Sequence, residues 1–125
     1  FLYRFDVDGG LNYFKRFFKA EDSLGAEHFA DCCYLFNIHL QPRPAIDSKD
    51  FENVKKFVSI VTEFAINGNP NCEEIGDNDW LPVQDEWPLK CLNIGTEECS
   101  FIALPETERL NVWNSVYEKV AADLY

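Results

Sequence analysis

Segment 48–67 constrains the fold most, because it reads as a long helix with an unusually wide apolar face. Asp47 or Ser48 can cap its first N–H groups, and Gly68 stands where a left-handed C-cap residue belongs. Apolar residues recur along the segment at helical spacing: Phe51, Val54, Val58, Val61 and Ala65, widened by Phe57, Ile60 and Phe64. A face this broad has to be largely covered by other protein, so this helix is predicted to pack into a larger structure.

The elements around this helix predict an α/β fold that is not a complete domain. FLYRFDV at 1–7 reads as a strand that stops at the turn 8–10, whereas 11–18 fits either a short helix or an apolar loop. A short helix is predicted over 28–40, an acidic loop over 69–88, strands over 90–95 and 99–104, and a last helix from Pro105. Three strands without obvious neighbours make a poor sheet alone, although 125 residues would suit one domain.

Charge and hydropathy exclude several classes of partner. The formal charge of −11 argues against nucleic acid and against anionic lipid, since both attract clustered Lys and Arg. Apolar runs stay well short of the roughly 20 residues that a membrane span needs. Met is absent altogether, which leaves open whether the chain begins where its gene begins.

The cysteines indicate structural thiols. Five is an odd number, so at least one thiol is outside any intrachain disulfide, and the chain has no Asn-x-Ser/Thr sequon. Both features favour a reducing, intracellular setting. A cluster of Lys or Arg that would activate a thiol is missing, apart from Lys90 beside Cys91, so the cysteines are predicted to be inert.

His28 and His39 are the two histidines, which narrows the options for acid–base chemistry. His28 follows Gly25-Ala26-Glu27 at a loop-to-helix junction, from which a ring can project into a cleft as a general base must. The alternative is a histidine with no task. Zinc is disfavoured, because His28 and Cys32 have helical ligand spacing but no second cluster completes a tetrahedral site. Neither a metal nor a cofactor is predicted.

Other catalytic motifs are missing from the sequence. It contains no Gly-x-Ser-x-Gly nucleophile elbow and no phosphate-binding glycine loop, and Gly9-Gly10 lacks the His-Gly-Gly-Gly context of an oxyanion hole. No pair of carboxylates has a spacing that singles it out for glycoside hydrolysis. The residues alone therefore indicate His28 as a candidate catalytic residue and indicate no catalytic partner for it.

The stretch LGAEHFADCCYLF at 24–36 resembles the segment around the catalytic histidine of type-B carboxylesterases, with Gly25, His28, Asp31 and then Tyr34-Leu35-Phe36. Further likenesses follow in the family's order: YRFD at 3–6, FVSIVTEFAINGNPN at 57–71, Trp80-x-Pro82, and Pro88-x-Lys90-Cys91-Leu92-Asn93-Ile94. The chain is most similar to insect alpha-type carboxylesterases, over essentially all 125 residues.

The resemblance implies that residues 1–125 are the C-terminal segment of one α/β-hydrolase domain that hydrolyses small carboxylic esters. His28 would be the general base of a serine, acid and histidine triad whose other members lie upstream. Asp31 would be a structural hydrogen-bond acceptor. The upstream part of the same domain is then the expected partner, and a non-catalytic interaction protein of the same fold is the alternative.

The chain departs from the family pattern beside the histidine. Phe29 replaces a residue that is usually small, Ala30 stands where Asp or Tyr is frequent, and Cys32-Cys33 replace a more usual apolar and polar pair. These changes put the shape of the nearby pocket in question, and with it the substrate preference. They leave the histidine in place.

Overall fold

The computed structural model describes residues 1–76, 79–84 and 89–124. Three strands form one mixed sheet in the order β1-β2-β3: β1 (Tyr3–Asp6), β2 (Lys90–Gly95) and β3 (Cys99–Ala103). β1 runs parallel to β2 with Tyr3 opposite Leu92, and β2 pairs antiparallel with β3 with Leu92 opposite Phe101. The predicted strand pair 90–104 is confirmed as a hairpin, whereas the first strand is shorter than the predicted 1–7.

Four α-helices are described, together with a 3₁₀ turn at Glu73–Ile75: α1 (Tyr13–Phe17), α2 (Ala30–Leu35), α3 (Lys49–Asn67) and α4 (Thr107–Leu124). The choice left open for 11–18 is thus settled as a short helix. The crossover from β1 to β2 contains α1, α2 and α3, as parallel pairing requires. Pro88, which carried part of the sequence resemblance, lies outside the described residues.

The prediction of a helix over 28–40 is wrong in extent, because α2 covers only Ala30–Leu35. Phe29 precedes it with φ +77°, a left-handed conformation that cannot continue into a helix, and Phe36 ends it in an extended conformation. His28 consequently lies in the loop before α2. The face argument that paired His28 with Cys32 on one helix does not apply.

The ends of α3 are as predicted, but its buried face is rotated. The Ser48 hydroxyl accepts a hydrogen bond from the Phe51 N–H at 3.2 Å, and Gly68 closes the helix with φ +68°. Phe57 and Ile60, which were expected at the margin of the stripe, are the buried centre, while Ala65 is exposed. The reason is tertiary: the Phe57 ring packs against the rings of Tyr3 and Phe5 on β1.

One core lies between α3, α2 and this face of the sheet. Its buried side chains come from both ends of the chain: Val7, Leu11, Cys33, Tyr34, Phe57, Ile60, Ile75, Trp80, Leu92 and Ile94. Burial of apolar area is the main stabilising contribution here, at about 25 cal/mol per Å² removed from water. Cys33 and Tyr34 of α2 belong to this core, so it holds the helix that directly follows the His28 loop.

The opposite face of the sheet carries a polar cluster around Arg4, which contacts the residue just before α4. Arg4 donates to Asn93 at 3.0 Å and forms ion pairs with Asp6 at 2.8 Å and Glu106 at 3.3 Å. Beyond this contact the apolar side of α4 is exposed, with Trp113 at 60% and Tyr117 at 67% of full exposure. Within the described residues, no helix combines the length and hydrophobicity needed to cross a membrane.

Candidate active site around His28

His28 is solvent-exposed in the loop between α1 and α2. This agrees with the predicted position at a loop-to-helix junction. The backbone around it is constrained, because Gly25 has φ +87° and Phe29 has φ +77°. The Ala30 N–H donates to the Glu27 carbonyl at 3.2 Å, which closes a tight turn over His28 and Phe29. His28 is therefore an exposed residue on a defined backbone turn.

The Glu27 side chain, next to His28, caps the first turn of α1. Its Oε1 accepts from the Phe14 N–H at 2.7 Å and its Oε2 accepts from the Lys15 N–H at 2.5 Å. The helix's own N-cap residue, Asn12, makes no side-chain capping bond. Glu27 therefore satisfies two N–H groups that lack partners within the helix.

Asp8 and Lys15 fix the other end of this loop. The Lys15 ammonium, whose residue is 8% exposed, donates to Asp8 Oδ1 at 2.6 Å and to the Ser23 carbonyl at 2.5 Å. The second Asp8 oxygen accepts from the Gly25 N–H at 2.8 Å. The bond from Lys15, and then that from Gly25, lowers the pKa of the Asp8 carboxyl, so Asp8 is ionised throughout the neutral range.

Asp31 accepts hydrogen bonds from Tyr3 Oη at 3.3 Å and from the Cys32 N–H at 2.9 Å. It thus links α2 to β1, which is the geometry expected of a structural acceptor. Burial and the nearby Asp31 carboxylate raise the pKa of the Tyr3 hydroxyl, which keeps Tyr3 a donor at neutral pH.

A second carboxylate, Asp50, holds the turn after β1. It accepts from Tyr34 Oη at 2.8 Å and from the Gly10 N–H at 3.1 Å. Burial, and then the bond to Asp50, raises the pKa of Tyr34. A Cβ atom at Gly9 would lie 2.2 Å from Tyr34 Oη, so glycine is required there for space. Asp50 and Tyr34 thereby join α3 and α2 to the segment that leads into α1.

The clefts around this network do not contain His28. Two clefts of about 460 Å³ and 550 Å³ share Leu11, Arg43 and the Pro42 and Pro44 side chains, and a third of about 320 Å³ lies over Phe14 and the loop before His28. Among the described residues, no group of three or more His, Cys, Asp or Glu side chains could hold a metal ion. The candidate site in the described residues is therefore His28, exposed on a loop that Glu27 and Gly25 anchor.

All five cysteines are free thiols, and burial raises the pKa of each one: Cys32, Cys33, Cys72, Cys91 and Cys99. Arg4 lowers the pKa of Cys91 and Lys56 that of Cys99, but burial outweighs both effects. That the thiols are inert stays a prediction. A raised pKa leaves the unreactive thiol as the main species at neutral pH.

We expect alkylation of the folded full-length protein with iodoacetamide at pH 7 to leave ester hydrolysis nearly unchanged. The test follows residual hydrolysis against the number of alkylated cysteines, counted by mass spectrometry. Rapid inactivation that substrate prevents would contradict the expectation, since it would place a reactive thiol at the site.

Sequence reasoning identified His28 and Asp31 but missed Glu27, Asp8, Lys15 and Asp50. Asp8 was interpreted only as part of the turn 8–10, and Lys15 only as one residue of the apolar segment 11–18. A usable signal was a lysine inside that apolar run, because a lysine buried among aromatic side chains needs a carboxylate partner.

Comparison with known proteins bears on the family of this chain. The model of the carboxylesterase family matches residues 1–113. Esterase B1 of Culex pipiens is 27% identical over 121 residues, which cover 94% of this chain and 22% of the relative. The chain thus spans a little over a fifth of the length of that curated relative. Because the family model covers most of the sequence, including β1, the His28 loop and the β2–β3 hairpin, the chain belongs to the carboxylesterase family.

Proposed function

We propose that this chain is the C-terminal part of an α/β-hydrolase domain that hydrolyses small carboxylic esters through a serine nucleophile, with His28 as general base. The observation that carries the proposal is an exposed histidine on a turn anchored on both sides, inside the segment that matches the carboxylesterase family. An acid–base group has to be accessible and carried on a defined backbone. His28 is exposed, and contacts of Glu27 and Gly25 hold the loop that carries it.

The chemistry assigned to His28 is two proton transfers in each half-reaction. The imidazole takes the proton of the serine hydroxyl while the serine oxygen bonds to the ester carbonyl carbon, and it returns that proton to the alcohol that leaves. It then takes a proton from the water that attacks the acyl-enzyme, and returns it to the serine oxygen as the carboxylic acid departs. The serine, the carboxylate that orients His28 and the oxyanion donors are assigned to the upstream part of the domain.

The architecture supports an upstream partner. β1 is an edge strand whose one neighbour in the described sheet is β2, and it pairs with β2 in parallel. An edge strand presents unpaired N–H and C=O groups, so the free edge of β1 is a place for a preceding strand. The walls of an ester pocket at His28 would come from the same region, since the clefts described above do not include His28.

The full-length protein is expected to hydrolyse p-nitrophenyl acetate and to be labelled once by a fluorophosphonate probe. The reason is that a fluorophosphonate reacts with a serine only when a base removes its proton. Peptide mapping by mass spectrometry would locate the label, with heat-unfolded protein as the control. Absence of both turnover and label in the folded protein would contradict the proposal, and would favour a non-catalytic protein of the same fold.

A further inference from the structure

The two residues that flank His28 both contact the first turn of α1. Glu27 accepts from the N–H groups of Phe14 and Lys15 through its carboxylate. Phe29 places its ring 6.0 Å, centroid to centroid, from the ring of Phe14. Phe14 therefore contacts the residue before His28 through its backbone and the residue after it through its ring. The residues on both sides of His28 are thus restrained by contacts with Phe14.

The Glu27 contacts are strong compared with those of Phe29. Hydrogen bonds to an ionised acceptor are shorter and roughly twice as strong as neutral ones, and Glu27 makes two of them to adjacent N–H groups. Two parallel bonds define the orientation of the carboxylate and limit rotation of the Glu27 side chain. Phe29 contributes an aromatic contact on a side chain that is 38% exposed, which is a looser restraint.

The first turn of α1, which donates to Glu27, is itself held in place by contacts of Lys15. The backbone N–H of Lys15 donates to Glu27, and its ammonium donates to Asp8, in the turn after β1, and to the carbonyl of Ser23. Asp8 in turn accepts from the N–H of Gly25. The loop from Ser23 to Glu27 is thus fixed to α1 at both ends and, through Gly25, to Asp8 in the turn after β1.

We propose that Glu27 is a positioning residue for His28: its bidentate contact with the first turn of α1 sets the orientation of the adjacent imidazole. The inference rests on the proposed role of His28 as general base. Glu27 does not touch substrate in this scheme and acts only through the histidine. Its loss therefore lowers the rate of proton transfer while substrate binding is retained.

The test compares Glu27→Ala and Glu27→Gln with Glu21→Gln in the full-length protein. Glu21 is an exposed acidic residue of the same loop, so its variant matches the loss of one negative charge. Glu27→Ala should lower kcat by about 100-fold with KM nearly unchanged, because displacements of about 1 Å at a catalytic group have this size of effect. Glu27→Gln keeps one acceptor oxygen and should lose about tenfold. Glu21→Gln should resemble the parent.

A second arm separates positioning from a general loss of structure. In a His28→Ala background, Glu27→Ala should cause no further loss of the residual p-nitrophenyl acetate hydrolysis, because the residue through which it acts is gone. A Glu27 variant with the parent's kcat, or a loss that persists in the His28→Ala background, would overturn the inference. Where Glu27→Ala does not fold, the milder Glu27→Gln carries the same comparison, with the thermal midpoint measured alongside.

The outcomes for the two proposals are distinct. If His28→Ala is inactive while the Glu27 variants keep the kcat of the parent, the positioning role of Glu27 is refuted. The assignment of His28 as general base is then unaffected. A His28→Ala protein that turns over like the parent would refute the proposed function, and the positioning role would fall with it.

Discussion

The full-length protein with His28→Ala is expected to lose about 10⁴-fold or more in kcat for ester hydrolysis. Without the imidazole, the serine hydroxyl keeps its proton and is a weak nucleophile, and the leaving alcohol receives no proton. The loss should be in kcat, because the acyl and alcohol groups of the substrate would still meet the same pocket walls. The measurement is steady-state hydrolysis of p-nitrophenyl acetate, with circular dichroism to establish that the fold is retained.

His39→Ala is the matched control for this variant. His39 is the second histidine, and it is also exposed, but it lies after α2. Its replacement removes the same group from a position with no assigned chemistry, so turnover should stay close to that of the parent. A His28→Ala protein within about tenfold of the parent would contradict the assignment of the general base.

The isolated 125-residue chain is expected to show no ester turnover and to associate in solution. The nucleophile, its carboxylate partner and the oxyanion donors are all assigned to the region upstream. Association is expected because α4 exposes Trp113, Val116, Tyr117 and Val120 on one side, and because the free edge of β1 offers unpaired N–H and C=O groups. The charge of −11 opposes association without covering these groups.

The measurements are p-nitrophenyl acetate hydrolysis and sedimentation velocity on the expressed segment. Trp113→Glu with Tyr117→Glu is the comparison variant, since both side chains are exposed on α4 and neither is in the core. If the apolar side of α4 drives association, this variant should sediment as a smaller species with an unchanged circular dichroism spectrum. A monodisperse monomer with saturable turnover that is lost on His28→Ala would contradict the prediction.

Local signals in the sequence predicted the elements whose ends are determined locally. Ser48 and Gly68 define α3 through bonds within a few residues, and the 90–104 hairpin is closed by its own short turn. The rotation of α3 was not predictable in this way. It depends on Phe57 meeting Tyr3 and Phe5, which are more than 50 residues away along the chain.

The same distinction between local and long-range determinants applies to the candidate site. A histidine at a junction is visible in the sequence, and the family resemblance singles out His28. The anchoring of its loop consists of contacts between separated segments, such as Asp8 with Gly25 and Glu27 with Phe14. The left-handed conformation of Phe29 was not predictable either, because a bulky residue rarely adopts it.

Gly9 has a consequence for how this protein can accumulate mutations. Its backbone is not left-handed, so the requirement for glycine comes from Tyr34 Oη and Asp50 Oδ1, which a Cβ would approach to 2.2 Å and 2.3 Å. A first change at Gly9 is therefore blocked while both partners keep their size. A prior shortening of Asp50 or loss of the Tyr34 hydroxyl would open the position, at the expense of the bonds that hold the loop after β1. Positions 9, 34 and 50 thus form an epistatic unit, in which the order of substitutions decides which of them survive.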